Sequence, residues 1–256
     1  NRKTSLNKKK RVAKGGGKCD SFYSFLLLDC NIYENNKCVK CFSHLLRFFA
    51  FFCKKGVFMK KFGIIGAMDV EVALLKEQMT QSSTYHECNL DFIEGTLCGF
   101  PVVVVKSGIG KVNAAMCTQL LINRFGVTHV VNTGAAGAFA SGLGVLDIVI
   151  STELVYHDVD VTAWGYEPCA VPGMQVAFKA DSELVECAKK ACEANLPERK
   201  CICGRIASGD QFIASREQKN KIKELCNPAC VEMEGASIAH VCTQNGIPFV
   251  VLRSMS

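Results

Sequence analysis

The sequence has no apolar run of about 20 residues, which is the length that a membrane-spanning helix requires. It has only 6 prolines, and its 21 glycines show no regular repeat, which excludes a collagen-like or other fibrous chain. With 49% hydrophobic residues over 256 positions, the chain is not globally disordered and is long enough to bury a core. These numbers fit one ordinary domain, or one domain with an appendage.

Positive charge is concentrated at the beginning of the chain. Residues 1–58 hold 13 Lys+Arg and 3 Asp+Glu, whereas residues 59–256 hold 17 Lys+Arg and 21 Asp+Glu. The larger segment is therefore mildly acidic, which gives no electrostatic case for nucleic acid as a partner. A signal peptide or membrane anchor is also disfavoured, because the apolar run Phe22–Leu28 is short, ends at Asp29 and lacks a small-residue cleavage site.

We interpret residues 1–58 as a non-native or disordered, basic, Cys/Phe-rich extension. This segment has no proline, no helical period and no strand alternation. Met59 begins a stretch, Met-Lys-Lys-Phe-Gly-Ile-Ile-Gly, that is typical of the start of an α/β enzyme. The preceding Lys55-Gly56-Val57 can be encoded by a bacterial ribosome-binding sequence, which favours translated upstream DNA. Residues 59–256 are then the functional domain.

Cysteine is abundant, with 16 residues, but its distribution does not suggest disulfides or a metal site. Cys117, Cys187 and Cys242 fall within helical patterns among small apolar residues, as expected for buried, reduced thiols in a cytoplasmic protein. Cys38 and Cys41 have the spacing of half a zinc site, but a second half is missing. The sequence therefore predicts no metal and no organic cofactor.

Strands and helices alternate along residues 59–256, which predicts a single α/β domain with a central mixed sheet flanked by helices. Strands are predicted at 62–65, 90–96, 102–106, 127–132, 147–155, 201–207 and 249–253, and helices at 72–79, 112–124, 181–195, 215–225 and 233–245. In such sheets ligands bind beyond the carboxyl ends of the strands. The long polar and aromatic loop 156–178 is also expected to be functional.

Three loop motifs admit more than one interpretation. Residues 107–111, Ser-Gly-Ile-Gly-Lys, resemble a phosphate loop but lack its upstream glycine and its Ser/Thr, so a tight strand-to-helix turn fits better. Residues 133–137, Thr-Gly-Ala-Ala-Gly, form a predicted loop that suits either close approach of a flat or sugar-like ligand or a plain turn. Residues 157–160, His-Asp-Val-Asp, offer metal-ligating side chains, but without a second histidine cluster a structural loop is favoured.

Two further motifs contain carboxylates that are suited to catalysis or ligand binding as well as to helix capping. Glu71 lies at a predicted helix N-terminus, where the dipole stabilises a negative charge, so helix capping and catalysis both fit. At 231–236, Val-Glu-Met-Glu-Gly-Ala, two carboxylates flank a methionine although one would suffice as a cap. Carboxylates accept hydrogen bonds from sugar hydroxyls, and methionine offers a soft apolar surface to a ring. This stretch therefore favours nucleoside binding.

Taken together and in order, six motifs resemble the bacterial 5′-methylthioadenosine/S-adenosylhomocysteine nucleosidases of the nucleoside phosphorylase superfamily. The motifs are 63–68 with Glu71, 106–112, 132–137, 156–166, 208–213 and 231–234. The resemblance covers essentially all of 59–256 and none of 1–58. Each motif alone is weak, but their combination is specific.

The resemblance implies hydrolysis of the N-glycosidic bond in adenine nucleosides that carry a 5′-thioether. Glu71 matches the general base that activates water, and Arg253 matches a residue that supports the water site. The implied substrate-binding residues are Glu232, Met233 and Glu234 near ribose, Phe212 and Ile213 at adenine, Met68, Ala136, Gly137 and Ser256 beside the substrate, and Ile109, Val161, Trp164 and Pro172 around the 5′-thio group. Val161, Trp164 and Pro172 are expected to reach the site of a partner subunit, which implies a homodimer.

In this family the general acid is an aspartate directly after the position that matches Ser256. The last residue given is Ser256, and the final helix of the family would also follow it, so we expect the domain to be truncated and the chain 1–256 to be inactive or nearly so. Ala135, where many members carry serine, is a smaller departure. The alternatives are a phosphorylase of the same fold, hydrolysis of a related nucleoside such as a menaquinone precursor, and a catalytically dead nucleoside-binding fragment.

Overall fold

The computed structural model describes residues 60–256, which form ten strands of one mixed sheet, five α-helices and one short 3-10 helix. The strands are β1 Phe62–Gly66, β2 Thr80–Glu87, β3 Leu90–Leu97, β4 Phe100–Lys106, β5 His129–Ala138, β6 Ile148–Tyr156, β7 Phe178–Lys179, β8 Cys201–Ser208, β9 Cys230–Glu232 and β10 Phe249–Met255. The helices are α1 Asp69–Gln78, α2 Lys111–Phe125, α3 Ser182–Asn195, α4 Arg216–Cys226 and α5 Gly235–Asn245, and the 3-10 helix is Thr162–Trp164. The predictions for residues 1–58 lie outside the described residues.

Half of the sheet closes on itself. The strand order is β10-β6-β8-β9-β5-β1-β4-β3-β2, and β10 also pairs in parallel with β5, which joins the first five strands into a ring. β1, β4, β5 and β10 run in parallel, whereas β6, β8 and β9 run the opposite way, with β7 antiparallel to β6. The predicted mixed sheet is confirmed. The ends of β1, β5, β9 and β10 meet at one side of this ring, which is where the candidate site lies.

The core forms two layers because both faces of the sheet are covered by helices. Along β4, Val102 and Val104 pack in one apolar cluster, whereas Val103 and Val105 pack in the other. The first cluster includes α1 and α3, and the second includes α2 and α5. A strand that is buried on both faces needs an uninterrupted apolar run, which explains the four consecutive valines.

Most predicted elements are confirmed. The helix predicted at 181–195 begins at Ser182, after the N-cap residue Asp181, whose carboxylate accepts a hydrogen bond from Leu184 N–H at 2.9 Å. The predicted helix at 233–245 begins two residues later, at Gly235. The predicted loop 133–137 is wrong. β5 continues to Ala138, because its small residues pair with β10 and then with β9.

Strand β2 was not predicted. Its residues are exposed or nearly so on both faces, and the sequence lacks the apolar alternation by which a strand is recognised. β2 is held by its ladder to β3 and by the two-residue turn Cys88-Asn89, in which both residues have positive φ (51° and 61°). Asparagine is common in such a turn and cysteine is not, so the turn signal was weak.

Within residues 60–256, no helix combines the length and apolar character needed to cross a membrane. The eleven cysteines of this part are all thiols rather than disulfides. Cys117 and Cys242 are buried as predicted, whereas Cys187 is only partly buried.

Candidate active site

Glu71 lies in the first turn of α1, and its carboxylate turns back towards the end of β1. Oε2 accepts hydrogen bonds from the backbone N–H groups of Ala67 at 2.7 Å and Met68 at 3.0 Å. Oε1 accepts one from Ala135 N–H at 3.0 Å. Glu71 therefore caps its own helix, as its spacing allowed, and also joins the end of β1 to β5.

Arg253 lies in β10 and is buried among acceptors from three other segments. Its Nη2 donates to Asn132 Oδ1 at 2.6 Å and to Glu232 Oε2, and Glu234 Oε2 is 3.7 Å away. Only 1% of the residue is exposed. A buried guanidinium needs such partners to offset its lost hydration, so Arg253 ties β5, β9 and the start of α5 together.

Glu232, the last residue of β9, uses both carboxylate oxygens on protein donors. Oε2 accepts from the N–H groups of Glu234 at 3.0 Å and Gly235 at 2.8 Å, in addition to Arg253. Oε1 accepts from the Ser208 hydroxyl. Glu232 therefore caps the N-terminus of α5 with a negative charge. Of the two carboxylates in the motif, Glu232 is the one that fills the capping role.

Glu234 is the N-cap residue of α5 and differs from Glu232 in its environment. Its Oε1 accepts a hydrogen bond from Gly110 N–H at 2.9 Å, and its Oε2 is 3.7 Å from Arg253. Burial, followed by the nearby charge of Glu232, raises the pKa of Glu234 to about 7. Arg253 opposes this rise.

The site as a whole carries more negative than positive groups. Glu71, Glu232 and Glu234 all act electrostatically on Arg253, which is their shared cation. Burial raises the pKa of Glu71, and the Arg253 charge and three backbone N–H groups offset part of that rise. When the three carboxyl groups are ionised, the site has a net negative charge that favours a cation and disfavours an anion.

Gly134 provides the space in which Glu71 and Arg253 face one another. A Cβ atom at this position would lie 2.7 Å from Glu71 Oε1 and closer still to Arg253 Nη1. Glycine is needed here because the two side chains approach the backbone closely, and not for its backbone conformation, since Gly134 does not have a positive φ. The glycine in the predicted ligand-facing motif is therefore needed by the protein's own side chains.

The turn 107–110 and the loop after β8 flank this cluster. Gly108 and Gly110 have φ of 83° and 98°, which confirms the tight strand-to-helix turn predicted for this motif. Ile109 in that turn is 44% exposed, and Phe212 in the loop after β8 is 47% exposed. Ile213 is partly buried against the apolar cluster beneath α4. Met233 is partly buried between the two carboxylates of its motif.

The end of β10 lies against β5 at the residues that were predicted to flank the substrate. Ala136 C=O accepts hydrogen bonds from Ser256 N–H at 3.1 Å and from the Ser256 hydroxyl at 3.5 Å. Gly137 pairs with Val231 at the junction of β5 and β9. Met68 contributes its backbone N–H to Glu71. These four residues are therefore brought to the same region as Glu71 and Arg253.

Three predicted residues of the long loop lie on the surface of the single chain. Trp164 is 77% exposed, Pro172 is exposed and Val161 is partly buried. Val161 and Trp164 are joined by one backbone hydrogen bond of 2.9 Å across the 3-10 turn. That they reach the site of a partner subunit stays a prediction.

In the candidate metal motif at 157–160, each of the two aspartates has one carboxylate oxygen in contact with a protein group. Asp158 Oδ2 lies 2.7 Å from Lys111 Nζ, and Asp160 Oδ1 accepts from the Thr162 hydroxyl at 2.7 Å. Across residues 60–256, no cluster of three or more His, Cys, Asp or Glu side chains could hold a metal ion.

Sequence reasoning missed the residues that orient the charged groups. Asn132 Nδ2 donates to Ile65 C=O at 2.9 Å, which leaves its Oδ1 for Arg253. Ser208 accepts from Ala236 N–H at 2.7 Å while it donates to Glu232. Both are polar residues at or near the ends of apolar strands, and a buried amide or hydroxyl needs a partner, which is the signal that could have identified them.

Comparison with known proteins agrees with this geometry. Residues 61–256 match the Phosphorylase superfamily. A 5′-methylthioadenosine/S-adenosylhomocysteine nucleosidase of Exiguobacterium sp. is 49% identical over 197 residues, which covers 77% of this chain and 84% of the relative.

Two solved structures have the same fold. The Colwellia psychrerythraea nucleosidase of that name, in complex with adenine, has a TM-score of 0.76 and 48% identity, and covers 78% of this chain and 83% of its own. The Neisseria meningitidis nucleosidase, in complex with methylthio-immucillin-A, has a TM-score of 0.75 and 41% identity, and the match covers 77% of this chain and 86% of the Neisseria chain. The chain therefore belongs to the phosphorylase superfamily and, within it, to the family of 5′-methylthioadenosine/S-adenosylhomocysteine nucleosidases.

Proposed function

We propose that this protein hydrolyses the N-glycosidic bond of 5′-methylthioadenosine and S-adenosylhomocysteine, and also that of 5′-deoxyadenosine. The products are adenine and the corresponding 5-thioribose or 5-deoxyribose. Such a reaction serves methionine salvage and the recycling of the methyl cycle. We place it in the cytoplasm, where cysteines stay reduced, which fits the burial of five of the eleven cysteines of the described part.

The observation that carries this proposal is the excess of carboxylates around Arg253. Cleavage of the glycosidic bond passes through an oxocarbenium-like state, whose positive charge a net negative site stabilises. The same negative charge repels phosphate, the nucleophile of a phosphorylase. Hydrolysis is therefore the reaction that this electrostatic arrangement favours.

Glu71 is assigned the role of general base. Three backbone N–H groups fix its carboxylate, and burial keeps its pKa above that of an exposed glutamate. As water attacks C1′ of the ribose, Glu71 takes a proton from it. Arg253 holds the neighbouring carboxylates in place and supports the water site.

Glu234 is the residue assigned to the ribose hydroxyls. Its Oε2 has a distant ion-pair contact to Arg253, whereas both oxygens of Glu232 accept short hydrogen bonds from the protein. We therefore assign Glu232 to positioning rather than to direct contact with the sugar. Met233 lies beneath the ribose in this arrangement.

The remaining contacts follow the positions of the loops. Phe212 stacks on adenine, and the backbone at Ile213 binds the edge of the base. Ala136, Gly137, Met68 and Ser256 line the space beside the substrate. Aromatic stacking on a base is worth about 1–3 kcal/mol, so Phe212 contributes substantially to affinity.

We propose a homodimer in which Val161, Trp164 and Pro172 complete the partner's 5′-thio pocket together with Ile109. Exposed apolar side chains support it, since Val112 and Met116 on α2 are 78% and 38% exposed and Trp164 is 77% exposed. Exposed apolar surface of this kind favours a protein interface over contact with water.

The proposed function is tested by adenine release from a substrate panel. Protein expressed from Met59 to the stop codon is incubated with methylthioadenosine, S-adenosylhomocysteine, 5′-deoxyadenosine and inosine. Adenine release from the three adenine nucleosides, with inosine unreactive, is the expected result. If none of the three yields adenine, the assignment to this reaction is wrong.

The pH dependence follows from the raised carboxyl pKa values. Glu71 and Glu234 are needed in their ionised forms, and both pKa values lie above that of an exposed glutamate. kcat/KM for methylthioadenosine, which reports the free enzyme, is therefore expected to fall as pH decreases through about 7. The Glu234→Gln variant should be less active, and the fall of its kcat/KM at low pH should then reflect protonation of Glu71 alone. If kcat/KM of the wild type falls only in the pH range where exposed glutamates titrate, this prediction is wrong.

A further inference from the structure

Helix α2 begins without a cap of its own. Its N-cap residue is Gly110, which has no side chain, and its first turn contains no acidic residue. Two carboxylates from distant parts of the chain replace the missing cap. Gly110 N–H donates to Glu234 at 2.9 Å, and Lys111 N–H donates to Asp210 Oδ1 at 2.8 Å. An anion is stabilised at this end of a helix, so both contacts are favourable.

Lys111, Asp158 and Asp210 also bind each other through their side chains. Lys111 Nζ lies 2.7 Å from Asp158 Oδ2 and 3.9 Å from Asp210 Oδ2. Asp158 Oδ2 accepts a further hydrogen bond from Asp210 N–H at 2.9 Å. The Lys111 ammonium is also 5.3 Å from the centroid of the Tyr156 ring. These contacts form a closed ring between the segments that follow β4, β6 and β8.

The ring is partly shielded from water, so its charges interact more strongly than fully exposed charges would. The side chain of Asp158 is 12% exposed and that of Lys111 is 23% exposed, whereas that of Asp210, at the edge of the ring, is 48% exposed. Gly209 allows the two carboxylate segments to touch, because a Cβ atom there would lie 2.5 Å from His157 Nε2 and 2.9 Å from Asp158 Cγ. Removing one partner would leave an uncompensated charge, which costs more than breaking an exposed ion pair.

We propose that Lys111, Asp158 and Asp210 form a latch that positions the substrate-binding loops. Asp210 is two residues before Phe212, and Gly110, the neighbour of Lys111, donates to Glu234. The latch therefore sets the adenine loop and the ribose carboxylate relative to one another. None of its three side chains is assigned a contact with substrate, so all three are positioning residues. The inference rests on the proposed function, which places adenine at Phe212 and ribose at Glu234.

The latch predicts a specific change in kinetics. Lys111→Met, made in protein expressed to the natural stop codon, is expected to raise KM for methylthioadenosine about tenfold or more, which corresponds to roughly 1.4 kcal/mol of lost binding. The Kd for adenine, measured by titration calorimetry, should rise by a similar factor. kcat should change less than threefold, because Glu71 and Arg253 are not part of the latch. Lys111→Arg keeps the charge and should recover most of the affinity.

Asp210→Asn supplies a second variant that preserves side-chain volume. It should raise KM and the adenine Kd in the same direction, and its effect should not add fully to that of Lys111→Met, because the two residues share one ring. The matched control is Lys190→Met, which removes an exposed ion pair to Glu186 within α3. Its KM and adenine Kd should equal those of the wild type. If Lys111→Met does not fold, Asp210→Asn carries the test.

The outcomes separate the latch from the proposed function. An active wild type in which Lys111→Met and Asp210→Asn both behave like Lys190→Met would overturn the latch and leave the function intact. A loss confined to kcat, with KM and the adenine Kd unchanged, would also overturn it. A wild type without adenine release would instead overturn the proposed function.

Discussion

Glu71→Gln is expected to lower kcat for methylthioadenosine hydrolysis by about 10²–10⁴-fold, the usual worth of a general base. The amide cannot take a proton from the attacking water. The loss should not come from unfolding. Glu71 is one of three carboxylates around a single buried arginine, so removing one negative charge does not leave Arg253 without partners. The side-chain NH2 group of the variant cannot accept the backbone hydrogen bonds that one carboxylate oxygen of Glu71 receives, so the melting temperature should fall by a few degrees while the protein stays folded at the assay temperature.

The matched control for this variant is Glu77→Gln, on the exposed side of the same helix. It makes the same chemical change without touching the site, and its kcat should equal that of the wild type. The adenine Kd of Glu71→Gln should also stay within a few-fold of the wild-type value. A kcat of Glu71→Gln within tenfold of the wild type would remove Glu71 from the role of base.

Of all single methyl groups added in the site, the one introduced by Gly134→Ala should do the most damage. Its Cβ atom would lie 2.7 Å from Glu71 Oε1 and closer to Arg253 Nη1, and both side chains are buried and held by hydrogen bonds. Overpacking of this kind costs about 1–3 kcal/mol of stability. Displacement of the base by about 1 Å can cost roughly 10²-fold in rate. Unfolding in denaturant and the kinetics of adenine release measure the two effects.

Gly144→Ala provides the comparison. Its Cβ atom would lie 3.7 Å from Asp147 Oδ2, which is ordinary van der Waals contact, and no positive φ is recorded there. This variant should match the wild type in both stability and rate. Wild-type activity in Gly134→Ala would show that the close approach of Glu71 and Arg253 is not needed for catalysis.

Elements with strong apolar patterns were predicted well because burial fixes them. The valine run 102–105 is apolar at every position since both faces of β4 are covered. β2 shows the opposite case, because its exposed polar residues carry no pattern and only its ladder to β3 defines it. β5 was predicted too short for a related reason. Thr133–Ala138 has low strand propensity, but pairing with β10 and β9 overrides it.

The residue types of the site could be predicted from sequence, but their partners could not. Glu71, Glu232 and Glu234 stood out as carboxylates at helix starts, and Arg253 was implied by the family resemblance. The contact between Arg253 and Asn132 spans 121 positions of the chain, and no local pattern encodes it. The division of labour between Glu232 and Glu234 likewise depends on which oxygens accept protein hydrogen bonds. The latch joins the first residue of α2 to aspartates in two loops, and no local pattern in the sequence encodes it.

In the proposed reaction water, and not phosphate, attacks the nucleoside. The most direct test of this is the rate and product of methylthioadenosine cleavage, with and without inorganic phosphate, by protein expressed from Met59 to the stop codon of its gene. Hydrolysis predicts the same rate of adenine release in both buffers and free 5-methylthioribose as the only sugar product. Cleavage that requires phosphate and yields 5-methylthioribose 1-phosphate would contradict it.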